Sequence, residues 1–167
     1  MVGGSDAHLK APDDMQTFTD DLGEPTTWVY ADSRDGSDIL AGIRQGHVFI
    51  SADPQGPRLD FFARSDHGDI MMGETIPADA LGREVDFAVW VSDAKTPYGV
   101  VVIKNGAPQE AWSRTFTAAE DTFSFTDSPQ AGDYYRIEIR RVASQGVPFD
   151  ELLLGPISAL SNPIYTW

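Results

Sequence analysis

The chain has 167 residues, of which 26 are Asp or Glu and 12 are Lys or Arg, and its formal net charge at pH 7 is −14. A surface with this much negative charge repels phosphate backbones and anionic lipid headgroups. We therefore expect neither a nucleic-acid partner nor a membrane partner. The lack of cysteine excludes disulfides, a cysteine nucleophile and cysteine-ligated zinc. No apolar run is long enough to span a bilayer and no signal peptide is visible, so the sequence leaves the compartment unknown.

The first part of the chain predicts a loop, a strand and a helix. Residues 9–25 are rich in proline, glycine and aspartate, which is typical of a polar connecting loop. The β-formers of Thr26–Tyr30 predict a short strand. A helix of two to three turns follows, with Asp35 or Ser37 as its N-cap and Gly46 as its C-terminal stop. Its apolar face carries Ile39, Leu40 and Ile43.

From residue 47 onward the pattern changes to strands. The Val100–Ile103 run is apolar on both faces, which predicts a covered central strand, and Asn105-Gly106 predicts the hairpin turn after it. Alternation places Tyr135, Ile137 and Ile139 on an inward face, so Arg136 and Glu138 should face out or pair across strands. The predicted strands are His47–Ser51, Arg58–Arg64, Glu84–Val91, Val100–Ile103, Gln109–Arg114, Thr122–Phe125, Gly132–Arg140 and Ile164–Trp167.

Strands that recur about every dozen residues, with turn signals between them, are typical of an antiparallel sandwich. We therefore predict a mostly β fold, an immunoglobulin-like antiparallel β-sandwich with one short α-helix and an N-terminal arm. Residues 1–25 form the arm in this prediction, and residues 26–167 form the domain that contains the helix and the sandwich.

The most informative motif is the stretch from Gly3 to His8, because it carries an Asp-x-His pair. Asp6 and His8 are two residues apart, so in an extended segment their side chains project from the same face. A carboxylate oxygen beside an imidazole nitrogen suits a divalent metal. The sequence therefore predicts Asp6 and His8 as metal ligands. Two ligands bind a metal weakly, so the remaining ligands would come from elsewhere.

Five motifs occur in a familiar order and cover nearly the whole chain. Together they resemble the C-terminal third of metallohydrolases of the polymerase-and-histidinol-phosphatase (PHP) family, in the branch of carbaryl-type esterases. In that family a distorted β/α barrel holds two or three metals, its last strand ends in an Asp-x-His pair, and a helix and a β-sandwich follow. The motifs are Gly4–His8, Gly23–Ala31, Ile39–Ser51, Asp133–Arg140 and Ala159–Tyr165.

The resemblance implies that residues 1–25 correspond to the end of a barrel plus a loop. Asp6 and His8 match the family's final ligand pair, and the family's other ligands lie in barrel sequence that this chain does not contain. We expect no catalytic residue and no cofactor in the chain alone. A divalent metal (Mn, Zn or Fe) and metal-dependent hydrolysis are expected only together with a PHP-type barrel, in the same polypeptide or in another.

Three functions remain open from the sequence. The first is a non-catalytic accessory domain that packs on a catalytic barrel or shapes access to it. The second is half of a split metallohydrolase, which supplies Asp6 and His8 to a barrel on another chain. The third is a stand-alone β-sandwich module that binds a glycan or a protein through an exposed tryptophan. Trp90 is the candidate for that role, because it lies opposite the inward face of Glu84–Val91.

Two acidic clusters have structural explanations. The Asp66, His67, Asp69 and Glu74 group has no recognisable metal-ligand spacing and is typical of a solvated loop. Asp32, Asp35 and Asp38 lack the alternate spacing of a calcium loop and suit the start of a helix.

Apolar residues that a barrel would cover predict self-association when no barrel is present. We therefore expect a weak homodimer, or an arm folded back over the patch. The candidates are the arm before Thr26, the outer helix face at Ile39–Ile43, and Ile164, Tyr165 and Trp167.

Overall fold

The computed structural model describes residues 2–3, 24–66 and 68–167, and these residues form two packed β-sheets with two α-helices. The mostly β sandwich predicted from the sequence is confirmed. The strands are β1 (Thr26–Val29), β2 (Val48–Ser51), β3 (Arg58–Ser65), β4 (Gly68–Met71), β5 (Thr75–Ile76), β6 (Val85–Ser92), β7 (Tyr98–Lys104), β8 (Ala107–Phe116), β9 (Asp121–Asp127), β10 (Tyr134–Arg141), β11 (Ile157–Ser161) and β12 (Ile164–Thr166). The helices are α1 (Gly36–Gln45) and α2 (Phe149–Leu154), and Ala78–Ala80 form one 3-10 turn.

Sheet A is built around β10. On one side β10 pairs along its length with β7, which continues into β8; on the other side it pairs with β11 and β12. β11 then joins β2 and β1, and β12 runs parallel to β5. Sheet B has the order β4-β3-β6-β9 and is antiparallel throughout.

The main core lies between the two sheets and is filled by the inward faces of their strands. Tyr135, Ile137 and Ile139 of β10 are fully buried there, which confirms the predicted face. Val85, Phe87, Val89 and Val91 enter the same core from β6. A single sheet cannot bury its apolar face alone, so the two sheets share this core.

A second, smaller cluster lies between the outer face of sheet A and α2. Val101 and Ile103 of β7 pack there against Leu152, while Val100 and Val102 face the main core. This confirms that the run is covered on both sides. The sequence had predicted one helix and did not indicate α2, because six residues are too few to show a helical period.

The predicted turns are confirmed. Gly46 ends α1 in a left-handed conformation (φ 78°), and Asp35 rather than Ser37 is the N-cap. Asn105 and Gly106 both have positive φ (53° and 80°), as a type I′ hairpin between β7 and β8 requires.

The strands β4, β5 and β11 were not predicted. β5 has only two residues and depends on its pairing with β12.

Two of the predicted surface assignments are wrong. Ile164 is fully buried in the main core, because on β12 it faces sheet B whereas Tyr165 and Trp167 point the other way and stack at 5.6 Å. Glu138 was expected to face out or to pair across strands. Its side chain is only 4% exposed, and it pairs along its own strand with Arg136 and Arg140.

No helix in the described ranges is long and apolar enough to cross a membrane.

Candidate functional site

The predicted ligands Asp6 and His8 lie outside the described residues, but Gly3, just before them, is described. The Gly3 amide donates to Thr27 Oγ1 at 2.8 Å, and the Thr27 hydroxyl donates back to the Gly3 carbonyl oxygen at 3.0 Å. A Cβ on Gly3 would lie 2.9 Å from Pro25 Cγ and 3.2 Å from Ile50 Cγ2, so only glycine fits without rearrangement. Ile50 neighbours the core residue Phe49 and faces away from sheet B, so Gly3 lies on the outer face of sheet A.

A cleft of about 360 Å³ opens between α1 and the ends of β1 and β4. At its side His47 Nε2 lies 3.0 Å from Glu74 Oε1, and Glu74 Oε2 accepts the Met71 amide at 2.8 Å. The residues that line the cleft are Tyr30, Ala31, Asp32, Asp38, Ala41, Gly42, Gln45, His47 and Met71. Glu74 thus pairs with His47, which the sequence had not grouped with it, whereas His67 of the predicted group lies outside the described residues.

A close contact of two glycines fixes the wall of this cleft. A Cβ on Gly46 would lie 2.9 Å from the Gly73 Cα, and a Cβ on Gly73 would overlap the Gly46 carbonyl group. Asn162 Nδ2 donates to the Gly46 carbonyl oxygen at 2.8 Å. The end of α1, the turn after β4 and the β11–β12 connection therefore meet at one point.

The acidic residues at the start of α1 are held by local hydrogen bonds. Ser33 Oγ donates to Asp38 Oδ2 at 2.6 Å and accepts the Asp35 amide at 3.1 Å. Within the described ranges, no group of three or more His, Cys, Asp or Glu residues is arranged to hold a metal.

Of the tryptophans, Trp90 is the one that the sheet presents on an open face. Trp28 and Trp112 pack against the main core, whereas Trp167 is 74% exposed at the end of the chain and stacks on Tyr165. Trp90 is partly exposed, in the centre of the outer side of sheet B. The predicted direction of its side chain is confirmed.

The neighbours of Trp90 were not singled out by the sequence. In register, Trp90 lies between Asp60 of β3 and Thr122 of β9, and the next outward residue of β6, Ala88, lies between Phe62 and Ser124. Burial raises the pKa of Asp60 above its ordinary value. The alternation of β3 in the sequence is enough to place Asp60 on the outward face. Its position beside Trp90 follows only from the pairing of β3 with β6 in the structure.

A second polar group ties the hairpin of β7 and β8 to the start of β10. Lys104 Nζ lies 2.6 Å from Asp127 Oδ2 and 3.0 Å from Asp133 Oδ2, and the Tyr135 hydroxyl donates to Asp127 at 2.7 Å. Asn105 Nδ2 donates to Asp133 Oδ1 at 2.7 Å. These hydrogen bonds and ion pairs join residues of different elements and hold those elements together. The clasp, as we call this cluster, consists of Lys104, Asn105, Asp127, Asp133 and Tyr135.

The clasp and its surroundings shift the pKa of several groups. Burial alone would raise the pKa of Asp127 and Asp133, but the hydrogen bonds that they accept, including those from Lys104, lower it below the ordinary value. Burial raises the pKa of Tyr135, and the bond to Asp127 raises it further. Burial, with a smaller contribution from Asp121, raises the pKa of Tyr98 to about 12.

These shifts predict a loss of stability in alkali. Above pH 10 an unfolded tyrosine releases its proton while folded Tyr98 and Tyr135 keep theirs, so the free energy of unfolding should fall by about 1.4 kcal/mol per pH unit for each tyrosine. Urea titrations between pH 8 and pH 11 measure this slope. In the Tyr98→Phe variant the free energy of unfolding should fall less steeply with pH, because one of the two tyrosine protons no longer contributes to the slope. A free energy of unfolding that is constant from pH 9 to pH 11 would contradict the assignment.

Comparison with known proteins gives no match, since no family model, no curated protein and no solved structure matches the chain. The fold and its surfaces define a β-sandwich domain.

Proposed function

We propose that the chain is the C-terminal accessory domain of a PHP-type metal-dependent hydrolase, and that it packs on the catalytic barrel. In this proposal Asp6 and His8 are the last two ligands of a divalent-metal centre whose other ligands belong to the barrel. The metal would be Mn, Zn or Fe, and it would activate water for hydrolysis of an ester or phosphoester. The five motifs in family order support the proposal.

The observation that carries it is the attachment of Gly3 to the sandwich. Two reciprocal hydrogen bonds with Thr27 and the tight contact with Pro25 and Ile50 hold the backbone three residues before Asp6. A metal ligand must be placed to within a fraction of an ångström, and rigid supporting structure achieves this. A sandwich that fixes the approach to the Asp-x-His pair would position these ligands for a barrel.

The α1 helix offers a surface on which a barrel could pack. Leu40 is 51% exposed and Ile43 is 37% exposed on the side of α1 that points away from the cleft. Since apolar side chains on a surface helix normally face the core, an outward pair is consistent with a partner. A barrel is the partner we favour; a weak homodimer would bury the same residues.

The finer fold assignment belongs to the same proposal. We infer an immunoglobulin-like arrangement, because β3, β6 and β9 form one sheet and β7, β10 and β12 are neighbours in the other, with chain crossings between the sheets from β6 to β7 and from β9 to β10. In immunoglobulin domains the strands labelled A, B and E lie in one sheet and those labelled C, F and G lie in the other, which is the same division. The Tyr135 hydroxyl, which bonds back to Asp127, resembles the tyrosine corner of that fold.

A split metallohydrolase is the second candidate, and Gly3 supports it equally, because the attachment does not depend on whether the barrel lies on the same chain.

In either case the isolated chain should not hydrolyse esters or phosphoesters, because two ligands cannot build a hydrolytic metal site. The assay uses generic carboxylester and phosphoester substrates with added manganese or zinc. Turnover that survives repurification, and that disappears in both Asp6→Ala and His8→Ala, would contradict the accessory role.

A further inference from the structure

The tip of the hairpin between β7 and β8 carries an asparagine followed by a glycine, a pair that is prone to spontaneous deamidation. In this reaction the glycine nitrogen attacks the side-chain Cγ of the asparagine, and the side-chain Nδ2 leaves as ammonia. Water then opens the cyclic imide and leaves aspartate or isoaspartate. Glycine favours the attack because it has no side chain to obstruct the approach of its nitrogen. Asparagine accordingly counts among the thermolabile residues.

The sequence restricts this reaction to one position. The chain has two asparagines, Asn105 and Asn162. Asn162 is only 6% exposed and is followed by Pro163, whose nitrogen has no hydrogen to lose, so the same imide cannot form there. Asn105 and Gly106 are both exposed, so water can reach an imide at the hairpin tip.

The clasp holds Asn105 away from the geometry of attack. Its Nδ2 donates to Asp133 Oδ1 at 2.7 Å, and its Oδ1 accepts the Tyr134 amide at 2.9 Å. The Asn105 amide donates to the Tyr134 carbonyl oxygen at 3.0 Å. For the attack, Cγ must rotate onto the Gly106 nitrogen, and the backbone must leave the hairpin conformation in which both residues have positive φ. The reaction therefore requires that these hydrogen bonds break first.

The product of deamidation would prevent the clasp from closing again. An oxygen in place of Nδ2 sets an acceptor, and a negative charge, against Asp133 Oδ1. Lys104 already contacts both Asp127 and Asp133, so a third carboxylate would join the two that surround its ammonium group. Isoaspartate also lengthens the backbone of this two-residue turn by one carbon atom, which disturbs the register of the hairpin.

We propose that Asn105 is a site of spontaneous deamidation and that the clasp sets the rate of the reaction. Asn105 is protected while the clasp is closed. Each local opening of the hairpin exposes Cγ to the Gly106 nitrogen, and the reaction releases one ammonia and takes up one water. Because the product keeps the clasp open, the modification is an irreversible record of opening. The site is independent of the accessory role proposed above.

Mass spectrometry of the full chain during incubation at pH 8 and 37 °C tests the proposal. Trypsin cleaves after Lys104 and Arg114, so deamidation changes the mass of the peptide of residues 105–114. The Asp133→Ala variant lacks the acceptor of Nδ2, and we expect it to deamidate at least tenfold faster than the unchanged chain. The unchanged chain should also react at least tenfold faster in guanidinium chloride than in its folded state.

Matched controls separate the clasp from general effects on folding and charge. Asp32→Ala removes an exposed aspartate outside the clasp and should deamidate as slowly as the unchanged chain. The amide spectrum of each variant shows whether it is folded, and the comparison in guanidinium chloride needs no variant. The Asn105→Asp variant encodes one of the two products. It should unfold at a lower urea concentration at pH 7 than Gln55→Glu, which adds the same charge to an exposed loop.

Three results would overturn the proposal. The first is deamidation at residue 105 that is undetectable in guanidinium chloride, or equally fast there and in the folded chain. The second is a folded Asp133→Ala variant that reacts no faster than Asp32→Ala. The third is an Asn105→Asp variant that is as stable as Gln55→Glu.

Discussion

The Ile137→Ala variant should unfold with a free energy about 2–4 kcal/mol lower than that of the unchanged chain. Ile137 is fully buried in the main core, in the middle of β10, the strand that connects the two halves of sheet A. Alanine removes three buried carbon atoms and leaves a cavity that the surrounding strands can fill only partly, since three other strands (β7, β11 and β12) pair with β10.

Urea titration with a matched isoleucine measures this effect. Ile157 is 39% exposed at the start of β11, so Ile157→Ala should cost much less than Ile137→Ala. A loss below about 1 kcal/mol for Ile137→Ala would mean that the inward face of β10 is wrongly assigned.

The Glu138→Gln variant should be similarly damaging for an electrostatic reason. Glu138 Oε1 accepts from Arg136 Nη2 and Oε2 accepts from Arg140 Nη2, both at 2.6 Å. Arg140 also donates to the carbonyl oxygens of Leu153 and Gly155, at the end of α2. The glutamate thus orients the arginine that attaches α2 to sheet A.

Glutamine keeps the shape of the side chain but leaves two arginine charges without a counter-charge in a largely buried site. Breaking a buried ion pair by removing one partner lowers the free energy of unfolding by about 3–5 kcal/mol. Because the Arg136 side chain is 33% exposed and water screens its charge, we expect a loss of about 3 kcal/mol, at the lower end of that range. Glu110→Gln on the exposed part of β8 is the control and should change little. Equal unfolding curves for Glu138→Gln and Glu110→Gln would show that the triad contributes nothing to stability.

Local signals in the sequence were sufficient for most single elements. Gly46 and Asn105-Gly106 predicted their helix stop and hairpin because each position requires positive φ, which glycine and asparagine tolerate. The alternation of Tyr135, Ile137 and Ile139 predicted the buried face of β10 because a sheet with one core has a period of two.

The features that the sequence did not reveal depend on tertiary pairing. Glu138 looked like a solvent-facing residue, and its burial follows from α2, which covers that face of sheet A and has no periodic signal of its own. Asp60 and Trp90 are 30 positions apart, and they meet only through the register of β3 and β6. Asp6 and His8 remain predicted ligands, because they lie outside the described residues.

The metal content of a complex with a barrel tests the accessory role most directly. The chain should be expressed with a PHP-type barrel, either joined to its N-terminus or supplied as a separate chain, and the purified assembly should be analysed for Mn, Zn and Fe and assayed for ester and phosphoester hydrolysis. We expect bound metal and turnover in the assembly, and loss of at least one metal per barrel, with turnover, in Asp6→Ala and in His8→Ala. The control Asp14→Ala changes a nearby aspartate outside the motif and should retain both. An assembly that keeps its full metal content and activity without Asp6 and His8 would contradict the account, as would a chain that does not associate with such a barrel.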